Sequence, residues 1–326
     1  MNVLITGGAG FLGRRLAHAL LERGALCGAD GRLQSIDRIT LADAAAPPPG
    51  GDPRLVGMSG DLADAAFLAA VAGERADSIF HLAAVVSGMA EADFELGMRV
   101  NVDASRALLD ACRRNGNSPR LLFASSVAVY GGELPAVVRD STAVFPQSSY
   151  GMEKAVVELL INDYSRRGFV DGRVLRLPTI TVRPGRPNAA ASSFASGIIR
   201  EPLNREPAVC PVDPATKLWL ASPASAIGGF IALHDVPAAT LGANRVVNGP
   251  GLSVSVAEMI SSLERVAGKD AVARITVERD PRIERIVATW PGAWDDSRAR
   301  SLGLPHDDSF DGIVRLYIKD SALKIS

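Results

Sequence analysis

Only three cysteines occur in the 326 residues: Cys27, Cys112 and Cys210. They are odd in number and far apart, which argues against a disulfide framework and for a reducing cytoplasm. Histidine is equally sparse. His18, His81, His234 and His306 do not cluster with cysteines or acids at ligand spacing, so no metal is expected. Neither sign of charge dominates. The 35 basic and 36 acidic residues leave a net charge of −1, and the basic ones form no stripe, which argues against a nucleic-acid partner. No apolar run approaches the roughly 20 residues of a membrane span, so no membrane association is expected. The apolar start halts at Gly7 with no basic stretch before it, so no signal peptide is expected. What is left is a chain long enough for about two domains and a large core.

What is present is concentrated at the start, MNVLITGGAGFLGRR. Residues 2–6 form a short apolar run rich in β-formers and read as a buried strand. Gly7, Gly10 and Gly13 follow at intervals of three. Residues 11–24 then carry helical spacing, with Leu12, Leu16 and Leu20 on one side and Gly24 as a stop. Glycine is common here, 31 of 326 residues, so the glycines alone identify nothing. Their position between a strand and a helix does. That geometry sets a pyrophosphate on a helix N-terminus, where free N–H groups and the helix dipole favour an anion. A Cβ would block the turn, the phosphates or the helix packing.

Residues 25–37 read as an irregular connector and 38–42 as a second strand ending in Asp43. An acid there grips ribose hydroxyls and repels a 2′-phosphate, which favours NAD over NADP. A Pro/Gly loop (44–53), a third strand (54–58) with Asp61 after it, an alanine-rich helix (63–73) and a fourth strand (78–82) follow. Ala83 and Ala84, being small, let a cofactor lie against that strand end. Residues 90–115 read as one long helix with Asn101 inside it. A fifth strand (120–125), a loop (132–148), a helix (149–167) and a sixth strand (173–177) complete this half. Strands alternating with helices imply right-handed crossovers and a parallel, doubly wound Rossmann-type sheet. Gly7, Asp43, Asp61, Ala83, Ser126 and Pro178 all fall at carboxyl ends of strands, where ligands bind in such sheets.

The texture changes at Pro178. Prolines and Arg183, Arg186, Arg200 and Arg205 make residues 179–214 too irregular for a further sheet layer. Helices at 221–234, 254–267 and 312–320 and short strands at 245–248 and 273–277 fit a smaller C-terminal α+β substrate lobe. The expected division is an NAD-binding Rossmann domain over 1–178 and a substrate lobe over 179–326, with the chain free to cross back.

Tyr150 and Lys154 stand four apart at the start of a helix and share a face. A phenol is a poor base at neutral pH. A neighbouring ammonium favours the phenolate, so Lys154 is expected to draw the Tyr150 pKa toward the working range. Only five of the 35 basic residues are lysine, which makes the pair more specific than the glycines. Ser126, at a strand end, can hold the reacting oxygen, and Ser125 could serve instead.

The set TGGAGFLG (6–13), Asp43, GDL (60–62), HLAA (81–84), Asn101, SSVAVYG (125–131) and YGMEK (150–154) resembles the extended short-chain dehydrogenase/reductase family, the group of the nucleotide-sugar epimerases and dehydratases. The likeness is specific over residues 1 to about 186. It implies Tyr150 as catalytic acid/base, Ser126 as its hydroxyl partner and Lys154 on the nicotinamide ribose. It places cofactor contacts at Gly7, Gly10, Phe11, Leu12, Gly13, Asp43, Asp61, Leu62, Leu82, Ala83, Ala84, Asn101, Pro178 and Thr179, beside Tyr150 and Lys154. A narrower likeness in RLPTITVRPGRPNAAASSF (176–194) and WPGAWDDSRARSLGL (290–304) implies NAD-dependent oxidation of the C2 hydroxyl of a small sugar acid. The small-molecule substrate would then meet Ser87, Ser125, Ser126, Tyr150 and Arg183, with Arg183 on the carboxylate. Family members often form homodimers through the helices at 90–115 and 149–167. Two alternatives stand beside this reading: a nucleotide-sugar epimerase or dehydratase that retains its NAD, and a dinucleotide-sensing regulator without catalysis. A regulator would have lost Tyr150 or Lys154, and both are present.

Overall fold

The computed structural model describes residues 1–47, 51–73, 75–185 and 190–321. Arg186 and part of the expected Pro/Gly loop lie outside the described residues. Seven strands form the main sheet, numbered in chain order: β1 Asn2–Thr6, β2 Arg38–Asp43, β3 Leu55–Ser59, β4 Ser78–His81, β5 Arg120–Ser126, β6 Asp171–Leu177 and β7 Val246–Asn248. Their order across the sheet is β7-β6-β5-β4-β1-β2-β3, and every ladder is parallel. The longer helices are α1 Phe11–Arg23, α2 Ala65–Gly73, α3 Ala104–Asn115, α4 Ser149–Arg166, α5 Ser193–Leu203, α6 Pro223–Asp235, α7 Val256–Ala267 and α8 Phe310–Asp320.

Side chains alternate across a strand, so β1 feeds two cores at once. Val3 and Ile5 face Leu16 and Leu20 of α1 and Phe230 and Leu233 of α6. Leu4 faces the other way, toward Leu68 of α2, Leu108 of α3 and Val157 of α4. Burial on both faces is why the strand reads as an unbroken apolar run. The register sets Thr6 beside Ala42 and His81, His81 beside Phe123, and Ser126 beside Leu177. The carboxyl ends therefore share one edge. Strand order reverses at β1, which opens a crevice between β1 and β4.

Three expectations need correction. Residues 90–115 are not one helix. Asp93 is extended (φ −136°, ψ 92°), and its carboxylate accepts the Leu96 N–H, ending Ser87–Ala92 and starting Phe94–Gly97. A wider π-type turn, Met98–Asp103, then leads into α3. Asp competes for backbone N–H groups and so starts a new helix without any Gly or Pro to announce the break. The connector at 25–37 contains a small antiparallel hairpin, Ala25–Cys27 with Leu33–Ser35.

The third correction concerns the lobe, where the proline-rich stretch does enter a sheet. Thr179–Ile180 pairs in parallel with Lys217–Ala221, which pairs with Leu252–Ser255. Leu252–Ser255 occupies the start of the expected helix at 254–267. α7 begins only at Val256, where Ser255 and Glu258 form a reciprocal capping box. Phe194, Ile198, Leu220, Met259 and Ile313 build the core of this lobe. Between its elements the chain crosses back, with α6 covering the main sheet and β7 extending its edge.

Candidate active site

The glycine turn is packed too closely for any other residue. Gly7 has φ +71°, and a Cβ there would lie 2.8 Å from the Ala83 nitrogen. A Cβ on Gly13 would lie 2.2 Å from the Gly7 carbonyl oxygen. The Gly7 N–H donates to Ala42 O (2.9 Å), and the Ala9 N–H donates to Asp43 Oδ2 (2.9 Å). Gly10 caps α1 with no side-chain hydrogen bond, and the first turn carries no acid. The turn thus leaves a helix N-terminus shaped for, and open to, an anion. A dinucleotide pyrophosphate fits it, and Asp43 stands at the end of β2 where a ribose would lie.

On the other side of the crevice, α4 starts from Ser148, whose hydroxyl accepts the Gly151 N–H (3.2 Å). A Cβ on Gly151 would come within 2.1 Å of Ala128 O. Glycine therefore lets the first turn of α4 press onto the short turn Val127–Val129 that follows Ser126. This contact brings Tyr150 beside Ser126, whose hydroxyl favours the phenolate. Lys154 lies one turn deeper and is 2 % exposed. Its Nζ donates to Ala124 O (3.0 Å) and sits 4.5 Å from the Phe123 ring centroid.

The electrostatics depart from the sequence argument. Burial is the largest influence on Tyr150 and pushes its phenol up to about 12. The Ser126 hydrogen bond lowers it, Glu153 raises it, and the cation that lowers it is Arg183, not Lys154. Burial also lowers Lys154 to about 8, against the opposing charges of Glu153 and Glu158. The expected lowering of the phenol by Lys154 is thus absent, and desolvation sets the direction.

A cleft of about 320 Å³ joins these parts. Gly7, Gly10, Phe11, Leu12, Gly13, Leu82 and Ala84 line its cofactor side. Ser125, Ser126, Tyr150, Lys154, Pro178 and Thr179 line its floor, and Ser87 and Arg183 its far side. Among the described residues, Lys154 and Arg183 are its only charged groups, and both are cations. The Arg183 N–H donates to Ser196 Oγ (3.0 Å), its guanidinium to Ser192 Oγ (3.4 Å), and its carbonyl accepts from Arg200 (2.8 Å). A larger groove of about 960 Å³ lies in the lobe beside Phe194 and Ile283, but it holds neither Tyr150 nor the glycine turn.

Five expected cofactor residues do not line the cleft. The Asp43 carboxylate accepts from the Ala9 and Ala45 N–H groups (2.9 and 3.1 Å). Ala83 lies beneath Gly7. Asp61 pairs with Arg99 (2.7 Å) near the surface. Leu62 is packed into the core between β2 and α2. Asn101 is aimed inward by the π-type turn. It accepts from Val85 N (2.8 Å) and donates to Glu153 (2.6 Å), bracing the strand-end loop from behind. Ser125 is 2 % exposed, and its hydroxyl donates to Glu158 (2.5 Å), so it is not free for substrate. Period-two alternation explains the difference between the two hydroxyls: that of Ser125 turns to Glu158 beneath the cleft, and that of Ser126 faces Tyr150. Sequence reasoning missed Ser192, Ile180 and Trp290 on the far wall. No local pattern links residues so far apart.

Residues 3–217 match the model of the NAD-dependent epimerase/dehydratase family. The chain belongs to this family. NAD is accordingly its cofactor. As a family member it is 59 % identical over 323 residues to the D-erythronate dehydrogenase of Cupriavidus necator, covering 99 % of each chain. It is 46 % identical to the D-erythronate dehydrogenase of Haemophilus influenzae, covering 98 % of this chain and 99 % of that one. Among solved structures, a nucleoside-diphosphate-sugar epimerase from Agrobacterium tumefaciens superposes with a TM-score of 0.94. That structure is 41 % identical, and the match covers 100 % of this chain and 96 % of the other.

Proposed function

We propose that this family member oxidises the C2 hydroxyl of a small sugar acid, D-erythronate, to the 2-oxo acid. The observation that carries the reading is the cleft's polarity: a Tyr–Ser pair beside two cations and no acid among the described lining residues. Such a site favours a hydroxyl next to a carboxylate. The 59 % identical D-erythronate dehydrogenase supports the same substrate.

Each residue then has one task. Bound NAD, held by the glycine turn, Asp43 and Lys154, supplies the hydride acceptor. Tyr150, as phenolate, takes the proton of the C2 hydroxyl. Ser126 hydrogen-bonds the same oxygen and fixes its distance to the phenol. Arg183 pairs with the carboxylate through its planar fork and sets which carbon faces Tyr150. Its field also favours the phenolate. Ser87, which also lines the cleft, would meet a further substrate hydroxyl.

The second reading, a nucleotide-sugar epimerase or dehydratase, draws on the likeness to the Agrobacterium epimerase. It needs room for a base and a second pyrophosphate beside the NAD. A non-catalytic regulator has no use for Tyr150, Ser126 and Lys154 in one cleft. An NAD-reduction assay decides among the three. Free NADH from D-erythronate is the expected result, and Tyr150→Phe abolishes it while leaving NAD binding intact. Turnover of UDP-sugars with no free NADH would overturn the proposal, as would a fully active Tyr150→Phe.

The protein is further proposed to work as a homodimer in the cytoplasm. Leu159 of α4 is 68 % exposed and Phe94, on a helix packed beside it, 52 %. Exposed apolar side chains on neighbouring helices favour a partner surface. All three cysteines are free, which suits a reducing compartment. Among the described residues, no helix is long and apolar enough to cross a membrane.

A further inference from the structure

We infer that Trp290 is the specificity-determining wall of the cleft, limiting the substrate to a four-carbon acid. The inference rests on the reading of the reaction given above. With Phe11 and Tyr150, Trp290 is one of three aromatic residues among the described lining of the cleft that Arg183 and Ser192 also line. A carboxylate anchored on Arg183 with its C2 hydroxyl at Tyr150 sends the rest of the carbon chain away from the reacting centre. What that chain meets decides how long it can be.

Trp290 is a fixed wall and not a movable flap. Its side chain packs against the lobe core and also against the cluster of Trp219, Trp294 and Tyr130. Its backbone N–H donates to Val287 O (3.0 Å), so it rides on the end of the helix Pro281–Val287. The residues just after it are pinned from two sides. Gly292 O accepts from Ser253 Oγ of the lobe (2.7 Å). Ala293 O accepts from Val138 N (3.1 Å), and Asp295 N donates to Val138 O (2.7 Å), in the loop that follows β5. A Cβ on Gly292 would lie 2.9 Å from the Lys217 Cβ, so the segment is pressed against the lobe sheet. A bulky ring held this way rejects longer chains by overlap and favours the short one by covering its carbons. That combines rejection with attraction, as specificity requires.

The test measures kcat/KM for C4, C5 and C6 aldonates in the wild type, Trp290→Phe and Trp290→Ala. The wild type is expected to favour the C4 acid over the C5 acid by about ten-fold or more. Trp290→Ala is expected to shrink that preference by about ten-fold or more while leaving KM for NAD unchanged. An unchanged C4-to-C5 ratio in folded Trp290→Ala overturns the inference and leaves D-erythronate oxidation standing. A wild type that forms NADH from no aldonate removes the reading of the reaction, and this inference falls with it. Should Trp290→Ala fail to fold, a binding measurement decides. In the inactive Tyr150→Phe background, D-erythronate is expected to change tryptophan fluorescence, and Trp290→Phe is expected to abolish the change. If the change persists there, Trp290 does not touch the substrate and the inference is wrong.

Discussion

The ammonium of Lys154 lies 5.6 Å from the centroid of the Tyr150 ring, and its hydrogen bond goes to the main chain of β5, not to the phenol. Lys154 therefore holds position from beneath while burial keeps the phenol protonated, with a pKa of about 12. The phenolate fraction then rises about ten-fold per pH unit through the neutral range. For oxidation, kcat/KM is expected to climb with pH until Lys154, lowered to about 8, begins to lose its proton, and to level off above that. Reduction of the 2-oxo acid needs the phenol as an acid and should not climb in this way. Parallel pH profiles in the two directions would exclude Tyr150 as the proton carrier.

Arg183 is the cation that acts on the phenol, and in the proposed reaction it pairs with the carboxylate. Arg183→Gln should lose a charged hydrogen bond of about 1.5–3 kcal/mol, raising KM for D-erythronate roughly 10- to 150-fold. KM for NAD should hold. The alkaline rise in rate should also move to higher pH, because a charge favouring the phenolate is gone. Steady-state kinetics at several pH values checks both effects. An unchanged KM for the acid would remove Arg183 from the substrate site.

Beneath the cleft, the Arg176 guanidinium meets Glu158 through both carboxylate oxygens, at 2.9 and 2.6 Å. Ser125 donates to the same carboxylate, and Tyr130 joins Arg176 to Asn248. The network ties α4 to β5, β6 and β7. Glu158→Ala leaves a buried arginine unpaired and should destabilise the fold by about 3–5 kcal/mol. Glu158→Gln, which keeps acceptor and shape, should cost less. Urea unfolding measures both, and equal midpoints for wild type and Glu158→Ala would show that the pair does not hold these elements together.

The first half of the chain was legible because each signal is local. The strand–glycine–helix start, Asp43 at the end of β2 and the Tyr150/Lys154 spacing each sit within a few residues. The failures were also physical. Asp93 breaks a helix whose periodicity runs on undisturbed, so the π-type turn that aims Asn101 inward left no trace in the spacing. The strand expected at 245–248 is present as β7, but it returns to the main sheet instead of staying in the lobe. Trp290 and Ser192 reach the cleft through tertiary packing that no window of sequence contains. The phenol's pKa turned on burial, which pattern and composition do not report.

His81 offers a test of how the glycine turn is tied to the rest of the site. It is 3 % exposed, with Nδ1 at 2.7 Å from Thr6 Oγ1 and Nε2 at 2.8 Å from Ser105 Oγ. Ser105 donates to Asn101 O (2.6 Å), so Nε2 carries the ring hydrogen and Nδ1 accepts from Thr6. Burial holds the neutral form and lowers the pKa to about 3. The unfolded chain takes up its proton near pH 6.5. Between those values the unfolded state binds more protons than the folded one, so stability falls as pH falls. The stability this group contributes is complete above about pH 6.5 and is lost at about 1.4 kcal/mol per unit on the way down. His234 is also lowered by burial and adds in the same direction. Melting temperature should therefore drop between about pH 7 and pH 5, and His81→Gln should show a shallower dependence from a lower starting point. The same slope in both proteins would mean that His81 is already charged in the folded state and that the tautomer inferred from Ser105 is wrong.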